Sequence, residues 1–262
     1  PIFRKRVGPR VRIMFVVKAN AYGHDAVLCA LAAQKARAAG YRGERISTHA
    51  VEFAIQSYGT LSDAIAYSYQ QEGHKFYVLT FPTAGATWVF DTITGAWHER
   101  ASLVNGVFNR HRSNCQMNFN KQTIVGDYEN GNIYAFDLDV YADNDQSQKW
   151  LRSWRALPTG QNDLRRTAQH SLQLDCESGV GIVEGQGDDP QIMLRWSDDG
   201  GHTWSREHWA SLGAIGVYKQ RVFWRRLGMT QKLRDRVYEV SGTDPTKLVI
   251  VGAELILNGT SS

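Results

Sequence analysis

The 262-residue chain is 42% hydrophobic and 21% charged, which excludes a disordered polymer and provides for one large core or two modest ones. Its 8 Trp, 11 Tyr and 10 Phe, set among 24 Gly and only 6 Pro, favour short strands and tight turns over a helix bundle or a Pro-rich linker. The net charge of +4 is mild, the three scattered cysteines (Cys29, Cys115, Cys176) form neither a disulfide framework nor a zinc motif, and no apolar run approaches the ~18 residues of a membrane span.

The start, FRKRVGPRVR, carries Arg4, Lys5, Arg6, Arg10 and Arg12. It is expected to be a solvated basic segment, with the capacity to touch phosphate through counterion release. No signal-peptide core follows it, so synthesis in a reducing compartment is expected. The chain begins at Pro1 rather than Met, so an upstream portion is expected to be missing. The next stretch, VVKANAYGH (16–24), resembles the cofactor-lysine motif of alanine racemases. That resemblance implies a Schiff base from Lys18 to pyridoxal phosphate. It covers only nine residues, and the β-rich text after residue 70 cannot form that family's barrel, so a chance match or a recombination scar is expected.

Asp25 is placed to cap a helix over AVLCALAAQKARAAG that Gly40 would close. Val51, Ala54, Ile55 and Tyr58 recur at helical spacing, predicting a helix in THAVEFAIQSYG that ends at Gly59. From Gln71 onward the text is β. HKFYVLTF (74–81) and TAGATWVFDTITGAWHERAS (83–102) read as strands reversed at Gly73, Gly85 and Gly95. QTIVGDYENGNIYAFDLDVY (122–141) repeats the theme around a Glu129-Asn130-Gly131 turn. Phe90-Asp91 and Phe136-Asp137 are spaced like successive propeller blades. Residues 170–213 and 219–258 are drawn as a third and a fourth unit. The expected fold is mainly β, with propeller-like blades in an incomplete set and one or two short helices near the N-terminus. A β-sandwich or irregular all-β domain is the alternative.

RWSDDGGHTWS (195–205) fits the Asp-box pattern S-x-D-x-G-x-T-W through Ser197, Asp199, Gly201, Thr203 and Trp204. In such a hairpin the Asp accepts backbone N–H bonds, Gly takes positive φ and Trp packs on the sheet, so a structural turn is expected. Asp198-Asp199, Asp188-Asp189 and Asp137/Asp139 are the carboxylate pairs available for sugar hydrolysis. Turn-capping is the expected role for all three, and neither GDD nor DDGG spaces oxygens as a calcium loop does. No nucleophile, zinc-protease or phosphate-loop motif occurs. Catalytic, cofactor and metal residues are therefore expected to be absent. Trp88, Trp97, Trp196, Trp209 and Trp224 are the expected blade-packing aromatics.

Four segments in order, YRGERISTHAVEFAI (41–55), GHKFYVLTFPTAGATWVFDTITGAWHER (73–100), MLRWSDDGGHTWSREHWASLG (193–213) and RVFWRRLGM…RDRVYEVSGTDPTKLVIVGAEL (221–255), carry a longer resemblance. From about Tyr41 to the C-terminus the chain resembles the packaged DNA stabilisation proteins, the tail accessory or nozzle-hub proteins, of P22-like short-tailed phages. The resemblance implies a non-enzymatic virion protein, made in the bacterial host cytoplasm and assembled as a homo-oligomeric ring. It would lie between portal-proximal and tail-needle proteins, retaining packaged DNA and lining the ejection conduit without sequence-specific DNA contact. It also implies propeller strands before the RISTHAVE helix, where this chain has other text. Residues 1–40 are thus an atypical segment before a propeller-like domain over 41–262, as in a truncated or frame-altered prophage gene. The alternative function is a sialidase-like or carbohydrate-binding β-propeller module.

Overall fold

The computed structural model describes residues 45–144, 146–157, 166–230 and 236–259. They fall into two compact units that meet in sequence at Phe136 and Asp137. The basic start, Lys18, Cys29 and the helix expected after Asp25 lie outside the described residues. No described helix is long and apolar enough to cross a membrane.

In the first unit, helix α1 (His49–Gln56) precedes a series of antiparallel strands. Thr48 caps it by accepting the Val51 N–H at 3.3 Å. Glu52 in the first turn suits the positive end of the helix dipole and pairs with Arg45 at 2.8 Å. Val51 and Ile55, picked out by helical spacing, are its buried residues. The helix stops at Gln56, short of Gly59, because the Ser57 hydroxyl donates back to the Ala54 carbonyl at 2.6 Å and closes the last turn.

Strands β1 (Ile65–Gln71), β2 (His74–Phe81), β3 (Ala86–Asp91) and β4 (Ala96–Glu99) pair in that order as a meander, the form of one propeller blade. Gly73, Gly85 and Gly95 take φ of 80°, 65° and 71° at the reversals, which a residue with a Cβ adopts only at a cost. Both faces of the blade are buried. Leu79, Phe81, Trp88 and Trp97 pack against Val51 and Ile55 of α1, and Tyr69, Val78 and Val89 pack with Phe76 and Phe136 on the other side. Hairpin β5 (Ala101–Val104)–β6 (Val107–Arg110) then leads to a second meander, β7 (Ser113–Phe119), β8 (Gln122–Asp127) and β9 (Ile133–Ala135). Phe90-Asp91 ends β3, whereas Phe136-Asp137 lies just beyond β9 at the boundary of the two units, so only the first of the two dipeptides lies within a strand. The second meander has three strands among the described residues.

The second unit opens with the short hairpin β10 (Ala142–Asp143)–β11 (Gln146–Ser147). It continues through β12 (Trp150–Arg155), β13 (Thr167–Cys176), β14 (Gln191–Ser197), β15 (His208–Ser211), β16 (Val222–Met229), β17 (Val237–Gly242) and β18 (Ile250–Gly259). One sheet has the order β12-β17-β14-β15 and the other β16-β13-β18, all neighbours antiparallel. They close on one core that includes Leu172, Ile192, Leu194, Val222, Trp224, Tyr238 and Val240, and so form a β-sandwich. This corrects the drawing of 170–213 and 219–258 as two successive blades. β13 and β14 enter different sheets, as do β16 and β17, because each strand turns its apolar side toward one shared interior. The Asp box, Trp196, Trp209 and Trp224 therefore belong to a sandwich and not to blades.

Candidate functional site

The Asp box forms the tip between β14 and β15. Asp199 Oδ1 accepts the N–H groups of His202 and Thr203 at 2.9 and 2.8 Å, and its Oδ2 accepts the Thr203 hydroxyl at 2.6 Å. The Ser197 hydroxyl lies 2.6 Å from Asp199 Oδ1 and accepts the Gly201 N–H at 2.8 Å. The hydroxyls of Ser197 and Thr203, followed by the backbone donors, hold the Asp199 carboxyl well below the ordinary carboxylate range. Gly200 and Gly201 take φ of 75° and 104°. Trp204 is half-buried and carries the Arg195 guanidinium 4.6 Å from its ring centroid, and Arg195 in turn pairs with Glu239. Both Asp199 oxygens are occupied within the turn, which leaves it a poor nucleophile or general acid. Gly201→Val and Trp204→Ala should each destabilise the sandwich by about 1–3 kcal/mol, seen as a lower melting temperature. Unchanged melting in both would remove the turn from the folding determinants.

The neighbouring Asp198 points elsewhere, to Arg236. Arg236 is almost sealed, with 2% of its side chain exposed. Its Nε and Nη2 donate to the two Asp198 oxygens at 2.6 and 2.8 Å. Its Nη1 and Nη2 also donate to the carbonyls of Leu227 and Met229 at 2.7 and 3.2 Å. One guanidinium thus ties the Asp-box hairpin of one sheet to β16 of the other. Burial opposes its charge, but the bonds to Asp198 and Tyr238 outweigh that and strengthen its hold on the proton. Burial pushes the nearby Tyr238 phenol up to about 12, despite Arg236, and its hydroxyl is bonded to Gln169 of β13. Sequence reading did not single out Arg236. The available signal was the Asp198-Asp199 doublet: the box uses one Asp, and the second needs a cation.

The expected packing aromatics divide. Trp88 donates to the Tyr58 hydroxyl at 3.0 Å and Trp97 to the Ile46 carbonyl at 2.8 Å, so both fasten the α1 region to the blade. Trp196 stacks on His208, with centroids 4.8 Å apart. Trp224 is buried in the sandwich core and donates to the His208 carbonyl at 3.0 Å. Trp209 does not pack in the core: it is 61% exposed. β15 is a sheet edge, and Trp209 lies opposite Met193 in the row that faces away from the core-packed Ala210.

In the first unit Asp91 accepts from Ile93 N–H and Thr94 Oγ1 and meets His74 Nδ1 at 2.6 Å. Burial opposes its charge, yet these bonds hold its carboxyl at about 2. Asp127 does the equivalent for the β8–β9 turn, accepting from Glu129 N–H at 2.7 Å and Arg112 at 3.2 Å. That turn contains Asn130-Gly131 as expected, but neither residue is left-handed; the Asp127 carboxylate organises it. His111 sits at the seam of the two meanders. Its N–H donates to Thr87 Oγ1 at 3.1 Å, and its Nδ1 accepts the Ser113 N–H at 3.3 Å and lies 2.7 Å from Ser113 Oγ, which also meets the Tyr67 hydroxyl.

Burial first, then the charges of Arg100 and Arg112, lower the His111 pKa to about 3, with Asp127 opposing. A depressed imidazole contributes stability that is complete above pH ~6.5 and declines as pH falls toward about 3. The slope is at most about 1.4 kcal/mol per pH unit. His111→Asn keeps an acceptor without the titration, so its melting temperature should fall less than the wild type's between pH 6.5 and 4. Parallel pH profiles would contradict this assignment.

Among the described residues no group of three or more His, Cys, Asp or Glu could hold a metal. Asp188 accepts the Asp189 N–H at 2.7 Å, and Asp137 accepts the Asp139 N–H at 2.9 Å, so these carboxylates also serve turns. Cys115 and Cys176 are free thiols.

Two family models match the chain in succession: bacteriophage P22 Gp10, β-propeller, over residues 32–141, and bacteriophage P22 Gp10, β-sandwich, over residues 149–257. A third, alanine racemase N-terminal domain, matches residues 2–46, nearly all outside the described region and overlapping the start of the propeller match. No curated protein matches. The Gp10 models agree in form with the units they cover, a blade meander and then a sandwich, while the racemase match meets none of the described strands. The chain belongs to the bacteriophage P22 Gp10 family, which consists of structural proteins of the phage particle and not enzymes.

Proposed function

We propose that this protein is a tail accessory factor that closes the tail channel, retains packaged DNA and later forms part of the ejection conduit. The observation that carries this reading is the match to both Gp10 domains, one after the other, over residues 32–257. The side chains agree with it. Their hydrogen bonds and ion pairs are spent on turns and on tying sheets together, as burial and assembly require. Copies made in the host cytoplasm would join as a homo-oligomeric ring between portal-proximal and tail-needle proteins. A closed ring resists outward leakage of compressed DNA mechanically, with DNA passing nearby and no base-specific readout. No turnover is part of this function, and neither pyridoxal phosphate nor a metal is required.

The test is particle assembly with and without the gene. Particles assembled without it should fill and then lose their DNA, and supplying the chain in trans should restore full heads. Equal DNA retention in both preparations would refute the channel-closing role.

A further inference from the structure

The sequence holds three Asn-Gly pairs, Asn105-Gly106, Asn130-Gly131 and Asn258-Gly259, and the fold sets each in a different backbone frame. Asn105 and Gly106 form the two-residue turn of the β5–β6 hairpin, both left-handed with φ of 51° and 78°, between the paired Val104 and Val107. Asn258 and Gly259 are extended in β18, in register with Ala168 and Thr167 of β13. Asn130-Gly131 is held otherwise. It lies exposed in the β8–β9 connection, and neither residue is left-handed. The Asn130 side chain is gripped at both ends: Oδ1 accepts the Asn132 N–H at 2.8 Å, and Nδ2 donates to Asp127 Oδ2 at 3.1 Å. The first bond is an Asx turn, which folds the side-chain amide over the following peptide. It brings Asn130 Cγ up to the backbone nitrogen of Gly131, and the surroundings are open, since a Cβ at Gly131 would meet nothing within 4 Å.

We propose that Asn130 is a site of spontaneous deamidation, closing on Gly131 to a succinimide, while the fold protects the other two Asn-Gly pairs. The Gly131 nitrogen gives its proton to hydroxide and attacks Cγ, forming the N–Cγ bond. The Cγ–Nδ2 bond then breaks, and the amide nitrogen takes a proton from water and leaves as ammonia. Water opens the ring at one of its two carbonyls, yielding aspartate or isoaspartate, with nothing oxidised or reduced. The turn favours the attack in two ways. It holds the reacting atoms together, and it aims the Asn132 N–H at the oxygen on which negative charge develops. Asp127 selects which end of the amide faces that donor. At Asn105 ring closure requires a ψ far from the left-handed region and so breaks the hairpin. At Asn258 it requires the strand to leave its pairing with β13. Either product puts a carboxylate beside Asp127 where an amide donor stood, and isoaspartate adds a carbon to the backbone ahead of β9. This inference rests on the first unit alone and is independent of the tail reading.

Peptide mapping by mass spectrometry tests it on the full chain, held folded in warm, mildly alkaline buffer beside the same chain unfolded in guanidinium chloride. In the unfolded chain the three pairs should convert at similar rates, because only the local sequence then acts. In the folded chain Asn130 should convert at least as fast as it does unfolded, while Asn105 and Asn258 fall about tenfold or more below their unfolded rates. Gly131→Ala fits the open space and keeps the turn, but its Cβ crowds the attacking nitrogen, so conversion at Asn130 should slow about tenfold with melting close to the wild type's. Slower conversion of Asn130 in the folded chain than in the unfolded one, or Asn105 converting ahead of it, would overturn the proposal. So would a Gly131→Ala chain that converts as fast as the wild type.

Discussion

Replacing Arg236 with Met is expected to cost the sandwich about 3–5 kcal/mol, enough to unfold a domain of ordinary stability. The substitution keeps much of the side-chain volume, so the loss is electrostatic. Asp198, 8% exposed, would keep a buried carboxylate without its cation, and the Leu227 and Met229 carbonyls would lose their donor. Arg236→Met combined with Asp198→Leu should recover a large part of the loss, because a buried pair replaced by apolar residues is far less costly than half a pair. Denaturant unfolding followed by sandwich Trp fluorescence measures both. A loss below about 1 kcal/mol for Arg236→Met would mean that the bridge does not hold the sheets together.

Phe81→Ala should cost the first unit about 3–5 kcal/mol. Phe81 is fully buried between the blade and α1, beside Val51, Ile55 and Leu79, with the Tyr58 ring 5.2 Å away. Its removal leaves a cavity on the face that docks the helix, and an eight-residue helix has little stability of its own. Hydrogen exchange should quicken first in α1 and then across β1–β4. Phe81→Leu should lose much less. Full protection of the α1 amides in Phe81→Ala would show that another contact holds the helix.

Local features were legible in the sequence. The glycine reversals of the first blade, the buried pair Val51 and Ile55, and the Asp-box bonds each depend on residues within a few positions of one another. Pairing across the sandwich was not. Alternation in QIMLRWS or IVGAELILNG indicates which side chains share a face but not which strand lies alongside, and β13 takes β16 and β18 as neighbours from far along the chain. For the same reason the Asp box, which needs only a hairpin, could not distinguish a blade from a sandwich. Trp209 carried an aromatic's usual expectation of burial, yet its position on an edge strand is a property of the whole sheet. Arg236 was hidden because its partners, Asp198, Leu227 and Met229, converge only when the two sheets close.

A tail accessory factor is a built-in component of the phage particle. Quantitative mass spectrometry of purified particles, beside the cleared lysate from the same induced culture, tests it most directly. Peptides from residues 73–255 should appear in the particles at a fixed ratio to the portal protein, preparation after preparation. Complete particles without those peptides, with the chain confined to the lysate, would show that it is not a tail component.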